Sequence, residues 1–192
     1  MNIRSVCVYC ASSPGIDQTY FDAATKLGIL LAQNNLMCVC GAGNQGLMRE
    51  VSDAVLQSGG KVTGIIPRFM YEEGWHHKNL TTLSITDTIH ERKKQMAELS
   101  DAIVALPGGC GTMEELLEII TWKQLGIFTG PIVILNTNNY YTPLIDMLKK
   151  AIIESFMRKE HEQIWSVTDT PEKTIEQILF FENKPENPRL FA

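Results

Sequence analysis

Residues 101–115 read DAIVALPGGCGTMEE: an apolar run, then three glycines in four positions, then two adjacent glutamates. Positions 102–106 have the length and continuous apolar character of a buried strand, and positions 112–125 have the periodicity of a helix. Glycine loses more conformational freedom on folding than any other residue. Three glycines at one strand–helix junction therefore require a structural or functional reason.

Short apolar runs alternate with longer amphipathic segments along the chain. Seven runs are typical of strands: residues 5–10, 37–40, 61–66, 82–85, 102–106, 131–135 and 164–167. Six segments are typical of helices: residues 19–34, 46–58, 90–99, 112–125, 143–156 and 171–181. The alternation predicts βαβ units and an α/β fold with a mostly parallel sheet. Because the strands are almost continuously apolar, we expect helices on both faces, in a three-layer α/β/α arrangement.

Local signals mark several helix ends. The Thr-Pro pairs at 142–143 and 170–171 each combine an N-cap residue with proline at the first helical position. Gly59 and Gly126 follow predicted helices as stop signals. No linker or repeat interrupts the pattern, so residues 1–192 are expected to form a single domain, with a loosely ordered tail at 182–192.

Charge and hydropathy restrict the partners of the chain. The 192 residues carry a formal net charge of −5, which argues against duplex nucleic acid or an anionic membrane as the main partner. The most apolar stretch, residues 27–40, is interrupted by Gln33, Asn34 and Asn35, so no membrane-spanning helix is predicted. The early run VCVYC at 6–10 is interpreted as a first strand rather than a signal peptide.

Five cysteines raise the question of a metal or redox site. Cys7 and Cys10 form a C-x-x-C pair, but strand alternation directs them to opposite faces, whereas Cys38 and Cys40 share one face. Buried free thiols are the favoured interpretation, and neither a metal nor a cofactor is predicted. An odd number of cysteines also fits a reducing compartment, so a cytoplasmic location is expected.

Three loops rich in glycine or serine follow predicted strands: CASSPG at 10–15, CGAGNQG at 40–46 and PGGCGT at 107–112. In a parallel α/β sheet, ligands bind at the carboxyl ends of the strands, where these loops would lie. Glycine N–H groups and the positive end of a following helix together favour an anion. The glycines of the third loop are therefore candidates to hold a phosphate, with the Thr112 hydroxyl as a further donor. A tight turn that lets helix and sheet pack closely is the alternative.

The second loop contains GAGNQG, residues 41–46, which matches the dinucleotide fingerprint G-x-G-x-x-G. That fingerprint also requires an acidic residue near the end of the next strand, to bind the ribose hydroxyls. The next predicted strand, 61–66, is followed instead by Pro67 and Arg68. NAD is therefore disfavoured, while an NADP-dependent oxidoreductase stays open because an arginine can bind the 2′-phosphate.

Charged residues occur at the starts of two predicted helices. Glu115 follows Thr112 at the spacing of a capping box, and it also lies one turn beyond the third loop, where a carboxylate can face the sugar of a bound nucleotide. Glu114 lies about 100° around the helix, towards solvent. Arg92 and Lys93 are either part of a solvated face or groups that reach a phosphate or a departing base.

Four motifs together resemble the LOG ("Lonely guy") family. PGGCGTMEE at 107–115 resembles the family's P-G-G-x-G-T-x-x-E signature, and HERKKQM at 90–96 resembles its H-x-R-K-x-x-M segment. GAGNQGLM at 41–48 and CASSPG at 10–15 resemble two further family segments. The resemblance implies a Rossmann-like fold and a homodimer. It also implies hydrolysis, without a cofactor, of nucleoside 5′-monophosphates such as AMP or cytokinin riboside 5′-monophosphates to free base and ribose 5-phosphate.

The resemblance also suggests site residues. The family's catalytic arginine and glutamate correspond to Arg92 and Glu115. A further family glutamate, expected before the fourth strand, corresponds to Glu73 or its neighbour Glu72. The chain departs from the family at Ala42, where the family has a glycine. The candidate substrate-binding set is Ser12, Gly43, Glu73, Lys93, Gly109, Cys110, Gly111, Thr112, Met113, Glu114 and Thr121.

Two other functional classes remain open. One is a non-catalytic carrier of a nucleotide or of molybdenum cofactor, and the other is the NADP-dependent oxidoreductase. LOG proteins have often been labelled lysine decarboxylases, but the chain shows no signature of a pyridoxal-binding lysine.

The predicted helix 112–125 has more apolar residues than one buried face requires. They surround more than one face and include Trp122, and Ile127 and Phe128 follow shortly after. We therefore expect this helix near a homodimer interface, with Thr121 close to the neighbouring subunit's ligand. The alternative is that the C-terminal helices cover the surplus within one chain.

Overall fold

A seven-stranded parallel sheet forms the centre of the computed structural model, which describes residues 2–181. The strands are β1 Ser5–Tyr9, β2 Met37–Cys40, β3 Val62–Pro67, β4 Thr82–Thr86, β5 Ala102–Ala105, β6 Ile132–Leu135 and β7 Ser166–Thr168. All pairings between neighbouring strands are parallel, in the order β4-β3-β2-β1-β5-β6-β7. The seven predicted strands are confirmed, with small shifts at their ends. The predicted loose tail at 182–192 lies outside the described residues.

Helices cover both faces of the sheet, as predicted. The α-helices are α1 Gln18–Gln33, α2 Gly46–Gln57, α3 Arg68–Glu72, α4 Ile89–Glu98, α5 Cys110–Gln124, α6 Thr142–Ile153 and α7 Pro171–Leu179. Side chains of α1, α2 and α7 join one buried apolar cluster, and those of α4, α5 and α6 join a second cluster on the other face. Two 3₁₀ turns, Thr137–Asn139 and Lys159–Gln163, complete the helical segments of residues 2–181. No helix in this range is long and apolar enough to cross a membrane.

The four cysteines of the predicted strands follow the strand alternation. Cys7 belongs to one apolar cluster, whereas Cys10, Cys38 and Cys40 belong to the other. These four thiols are free and buried, and burial raises their pKa values. Cys110, which the sequence places in the third loop, is also free but is exposed. Its position at the first residue of α5, beyond the sheet, is the reason.

Helix ends show where local signals sufficed. Thr170 caps α7 as predicted, since its side chain accepts a hydrogen bond from the Lys173 N–H. Gly59 and Gly126 have positive φ just beyond α2 and α5, which confirms both stop signals. The N-cap of α6 is Tyr141 rather than Thr142, so that predicted cap is wrong. Helix α3 was not predicted because its five residues are too few to show a periodic pattern.

The strand order reverses next to β1. Strands β2, β3 and β4 extend to one side of it, and β5, β6 and β7 extend to the other. The loops after β1 and β5 are therefore neighbours at the carboxyl edge, where a crevice forms in folds of this kind. The Ala11 N–H donates to the Pro107 carbonyl at 3.1 Å and joins the two loops. This switch point positions the candidate site.

Candidate active site

A cavity of about 480 Å³ opens at this switch point. Apolar side chains of Met48, Met70, Ile89 and Met96 form part of its wall. Its polar lining includes residues of the loop after β1, of α4 and of the start of α5: Ser12, Ser13, Arg92, Lys93, Gly109, Cys110, Gly111, Thr112, Glu114 and Glu115. Gly41 of the second predicted loop also lines the cavity, which therefore combines residues of all three predicted loops with the charged residues of two helices.

The third loop presents an open helix N-terminus to the cavity. Gly109 is the N-cap of α5 and provides no side-chain hydrogen bond, so the first N–H groups of the helix remain available to a ligand. A Cβ added at Gly109 or Gly111 would meet no protein atom within 4 Å, whereas one at Gly108 would overlap Thr112. Close packing therefore explains Gly108 only. The other two glycines leave room beside the positive end of the helix, which suits a phosphate.

Glu115 has a role other than capping. Because α5 begins at Cys110 with Gly109 as its N-cap, Thr112 lies inside the first turn, and the capping-box interpretation is wrong. The Glu115 carboxylate instead accepts a hydrogen bond from Arg92, with 3.0 Å between Oε1 and Nη1. Each of the two side chains is only 11% exposed. Helix α5 thus brings a carboxylate to the cavity one turn beyond the open N-terminus.

Arg92 reaches this carboxylate from the opposite wall. Its Nε donates to the Ile65 carbonyl at 3.1 Å, and its Nη2 donates to the Gly41 carbonyl at 3.4 Å. A Cβ on Gly41 would overlap Nη2. The first glycine of the second loop therefore makes room for the guanidinium group. Backbone carbonyls of two strand ends fix Arg92 while leaving it paired with Glu115.

Burial raises the pKa of Glu115 above its ordinary value. The charge and hydrogen bond of Arg92 oppose this rise, the neighbouring Glu114 adds to it, and the net direction is upward. A buried carboxyl group with an upward-shifted pKa and a fixed cationic partner is typical of sites that stabilise charge or transfer protons.

Lys93 is buried against α5, beside two of its carboxylates. Its ammonium group pairs with Glu114 and, at 3.2 Å, with Glu118 Oε1, and its side chain is 5% exposed. Burial by itself lowers the pKa of Lys93, but the hydrogen bonds to Glu114 and Glu118 outweigh it and the net pKa is raised. The solvated-face alternative is therefore wrong for Lys93, while the next residue, Lys94, is exposed.

A capping box at the start of α4, which sequence reasoning missed, offsets the unfavourable basic residues of its first turn. Thr88 is its N-cap: the Glu91 N–H donates to Thr88 Oγ1 at 3.1 Å, and Glu91 accepts in return from the Thr88 N–H at 3.2 Å. This capping box adds an acidic group to the first turn and offsets the unfavourable placement of Arg92 and Lys93 near the positive helix end.

The second loop does not present an open helix N-terminus. The N–H groups of Leu47 and Met48 donate to the Ala11 carbonyl, at 2.9 and 3.3 Å. Gly46 has φ +59°, and a Cβ there would lie 2.5 Å from the carbonyl carbon of Ser12. Arg68, the residue that kept NADP open, forms an exposed pair with Asp87 at 3.3 Å. The geometry therefore does not favour a dinucleotide at this loop.

Comparison with known proteins places this site in a family. A family model described as "Possible lysine decarboxylase" matches residues 48–178. A cytokinin riboside 5′-monophosphate phosphoribohydrolase of Arabidopsis thaliana is 39% identical over 98% of this chain and 82% of that protein. A probable enzyme of the same name from Oryza sativa subsp. japonica is 42% identical over 91% of this chain and 72% of that protein. The chain belongs to the LOG family.

Solved structures show the same fold. The molybdenum cofactor carrier protein of Chlamydomonas reinhardtii superposes on this LOG-family chain with a TM-score of 0.71, covering 93% of this chain and 99% of that one. A molybdenum cofactor binding protein of Rippkaea orientalis gives a TM-score of 0.69, covering 93% and 96%. Sequence identities of 16% and 20% limit this likeness to the fold.

The family description raises the question of pyridoxal phosphate, and the LOG-family site does not fit it. A Schiff-base lysine must be able to lose its proton, which a lowered pKa favours. Lys93, which lines the cavity, has a raised pKa and is held between two carboxylates. Its environment therefore favours the charged form, as a structural or electrostatic group.

The LOG-family cavity brings together most of the predicted site residues, but not all. Ser12, Lys93, residues 109–112 and Glu114 line it with Arg92 and Glu115. Other candidates lie elsewhere. Gly43 bridges to His76, Glu73 is the C-cap of α3, and Met113 and Thr121 line a neighbouring open depression of about 510 Å³.

Sequence reasoning missed Glu118 and the apolar wall of this LOG-family site. Glu118 lies four residues after Glu114, so both carboxylates share one helix face, and this spacing was a usable signal. The residues Met48, Met70, Ile89 and Met96 come from three separate helices, α2, α3 and α4. No local pattern marks such a wall because only the tertiary fold brings the segments together.

Proposed function

We propose that this chain hydrolyses the N-glycosidic bond of nucleoside 5′-monophosphates, such as AMP and cytokinin riboside 5′-monophosphates, and releases free base and ribose 5-phosphate. The observation that carries the proposal is the ion pair of Glu115 with Arg92, one helical turn beyond an open, glycine-lined helix N-terminus in the same cavity. The names of relatives about 40% identical over most of the chain support the same reaction.

The spacing along α5 suits a nucleotide. The substrate phosphate would bind the N–H groups of residues 109–112, at the positive helix end. Glu115 lies four residues beyond Gly111, about 6 Å along the helix axis. That distance is comparable to the span from a 5′-phosphate to the anomeric carbon of its ribose. Phosphate binding would therefore place C1′ beside the carboxylate.

Hydrolysis then requires few groups. The bond between C1′ and the base nitrogen breaks, its electron pair goes to the base, and the oxygen of water joins C1′. The ionised carboxylate of Glu115 stabilises the oxocarbenium-like charge at C1′ or accepts a proton from the attacking water. That proton is then transferred to the departing base, which leaves as the neutral free base. Arg92 holds Glu115 and favours departure of the base. The apolar wall of Met48, Met70 and Ile89 gives the base a surface to pack against.

Incubation with AMP tests the proposal directly. We expect adenine and ribose 5-phosphate in equal amounts. We expect kcat/KM for adenosine to be lower than that for AMP by about 10³, because adenosine lacks the phosphate. Three charge-assisted hydrogen bonds from the loop N–H groups to that phosphate would be worth at least ~1.5 kcal/mol each. Comparison of AMP with a cytokinin riboside 5′-monophosphate then identifies the preferred base. Binding of AMP without turnover would instead favour a carrier, and equal kcat/KM for AMP and adenosine would contradict the assignment of the phosphate loop.

The proposed enzyme is a cytoplasmic homodimer that associates through α5. Leu116, Ile119 and Ile120 of this helix are buried, and Trp122 packs against the same core, as does the nearby Phe128. Trp122 and Phe128 therefore do not belong to the surplus. The outward surface consists instead of Leu117, Leu125 and Ile127, which are 40%, 54% and 65% exposed.

The C-terminal helices leave this surface exposed: α7 packs beside α1 on the opposite face of the sheet, and α6 shares the face of α5 but does not bury Leu117, Leu125 or Ile127. Large exposed apolar patches usually mark interfaces. Thr121 lies on the same outward face and lines the depression that shares Cys110 and Glu114 with the main cavity. A partner docked there would bring Thr121 near a second site.

The remaining parts of the proposal concern cofactors and location. Among residues 2–181, no group of three or more His, Cys, Asp or Glu side chains is arranged to hold a metal ion. The proposed reaction involves neither a metal nor a redox cofactor. Five free cysteines fit a reducing compartment, and hence the cytoplasm.

A further inference from the structure

Three consecutive backbone carbonyls before the phosphate loop are each held by a different donor. The Tyr141 hydroxyl donates to the Leu106 carbonyl at 2.8 Å. The Ala11 N–H donates to the Pro107 carbonyl at 3.1 Å, and the Tyr140 hydroxyl donates to the Gly108 carbonyl at 2.7 Å. The two tyrosines come from the turn before α6, a segment that does not line the cavity.

The contact to the Gly108 carbonyl also restricts the direction of the next N–H group, that of Gly109. In a planar trans peptide, the carbonyl of one residue and the N–H of the next point in opposite directions. No cis peptide occurs among the described residues. The Tyr140 hydroxyl, by holding the Gly108 carbonyl on its own side, therefore directs the Gly109 N–H away from itself. Because Gly109 lines the cavity, this N–H is available to the phosphate that is proposed to bind there.

Aromatic neighbours fix the orientation of Tyr140. Its ring makes edge-to-face contacts with Tyr20, at a centroid distance of 6.0 Å, and with Tyr141, at 5.2 Å. Edge-to-face arrangements are favourable for aromatic pairs at these distances. The ring is held on two sides even though Tyr140 is 40% exposed.

We propose that Tyr140 is a positioning residue that aims the Gly109 N–H at the 5′-phosphate and thereby sets the preference for phosphorylated substrates. This inference rests on the proposed function. Tyr140 touches neither the sugar nor the base in this scheme. It acts through the Gly108–Gly109 peptide, and its contribution is confined to the phosphate.

Tyr141 offers a matched contrast. Its hydroxyl holds the Leu106 carbonyl, but the next residue is Pro107, which has no N–H to direct. Tyr141 is also almost fully buried, at 1% exposure, so its hydrogen bond serves the core. Removing each hydroxyl in turn therefore separates a role in phosphate binding from a role in stability.

The experiment compares Tyr140→Phe, Tyr141→Phe and the wild type. It measures kcat/KM for AMP and adenosine, the affinity for ribose 5-phosphate by calorimetry, and the melting temperature. For Tyr140→Phe we expect about a tenfold loss of kcat/KM for AMP and of affinity for ribose 5-phosphate. We expect adenosine hydrolysis and the melting temperature to change little. For Tyr141→Phe we expect a lower melting temperature and an unchanged preference for AMP over adenosine.

The possible results either support or overturn the role of Tyr140 in phosphate binding. A Tyr140→Phe protein with the wild-type preference for AMP and wild-type affinity for ribose 5-phosphate overturns the inference. So does an equal loss of preference in both variants, because that would indicate general disturbance of the loop. If the wild type releases no adenine, the proposed function fails, and the ribose 5-phosphate titration alone then decides the role of Tyr140.

Discussion

Replacement of Glu115 by glutamine should abolish base release without weakening the fold. Glutamine keeps the size of the side chain and an oxygen that can accept from Arg92, but it removes the carboxylate charge. Groups that transfer protons or stabilise charge at a reacting centre contribute typically ~10²–10⁴-fold. We therefore expect kcat for AMP to fall by about that factor, equivalent to a barrier higher by roughly 3–5 kcal/mol.

The stability of this variant follows from the pKa of Glu115. Burial raises that pKa even with Arg92 beside the carboxylate, so the folded protein holds the proton more tightly than the unfolded chain does. Folding stability of the wild type then decreases as the pH rises from the unfolded pKa through the folded one, and the deficit persists at neutral pH. Glutamine does not titrate. The variant should melt at the same or a higher temperature than the wild type at pH 7, and its advantage should shrink near pH 4.

Adenine release by chromatography and thermal melts at several pH values test both parts. Glu98→Gln is the matched control, because Glu98 is a surface carboxylate on α4, 3.7 Å from Lys94, and its loss should change neither quantity. Turnover of Glu115→Gln within tenfold of the wild type would refute the catalytic assignment. A melting temperature many degrees lower at pH 7 would show that the Arg92 pair mainly supports the fold.

Three further perturbations test other parts of the site. Gly111→Ala should stabilise the protein by about 0.5–1 kcal/mol, because alanine favours a helix and the added Cβ meets no protein atom. The same variant should have a higher KM for AMP, because the added methyl group would occupy part of the phosphate site. Gly41→Ala should lower kcat in the same assay, because its Cβ would displace the guanidinium of Arg92; normal turnover would show that Arg92 needs no fixed position. Leu125→Glu should convert a dimer of about twice 21.5 kDa into a monomer in light scattering, with the melt of a folded protein; a wild type that is already monomeric would contradict the proposed interface.

Much of the architecture could be predicted because its signals are local. The apolar run at 102–106 and the cap at Thr170 depend on neighbouring residues only, and both occur where the pattern places them. Helix α3 escaped prediction because five residues cannot show a period. The cap of α6 was placed one residue late because the Thr-Pro pair predicts Thr142 as the N-cap, whereas the preceding turn, in which the Tyr141 N–H donates to Asn136 Oδ1, brings Tyr141 to that position.

The candidate site could be predicted in part. Glycine composition indicated an anion site at the third loop, and family resemblance indicated Arg92 and Glu115. The pairing of these two residues could not be read from residues 23 positions apart, because it depends on how α4 and α5 pack on one face of the sheet. The same packing buries Lys93 between two carboxylates of α5, although its sequence context is that of a solvated charge run.

The sequence by itself determined the layered α/β architecture and the chemistry available at each loop, since periodicity, capping and glycine content act over a few residues. Only the tertiary structure decided which loop presents an open helix N-terminus to the cavity. The order of the strands places the loops after β1 and β5 side by side, and the Ala11 carbonyl occupies the start of α2, so the third loop is open where the second is closed. Strand order arises from helices burying their apolar faces on both sides of the sheet, a long-range balance that no short segment encodes.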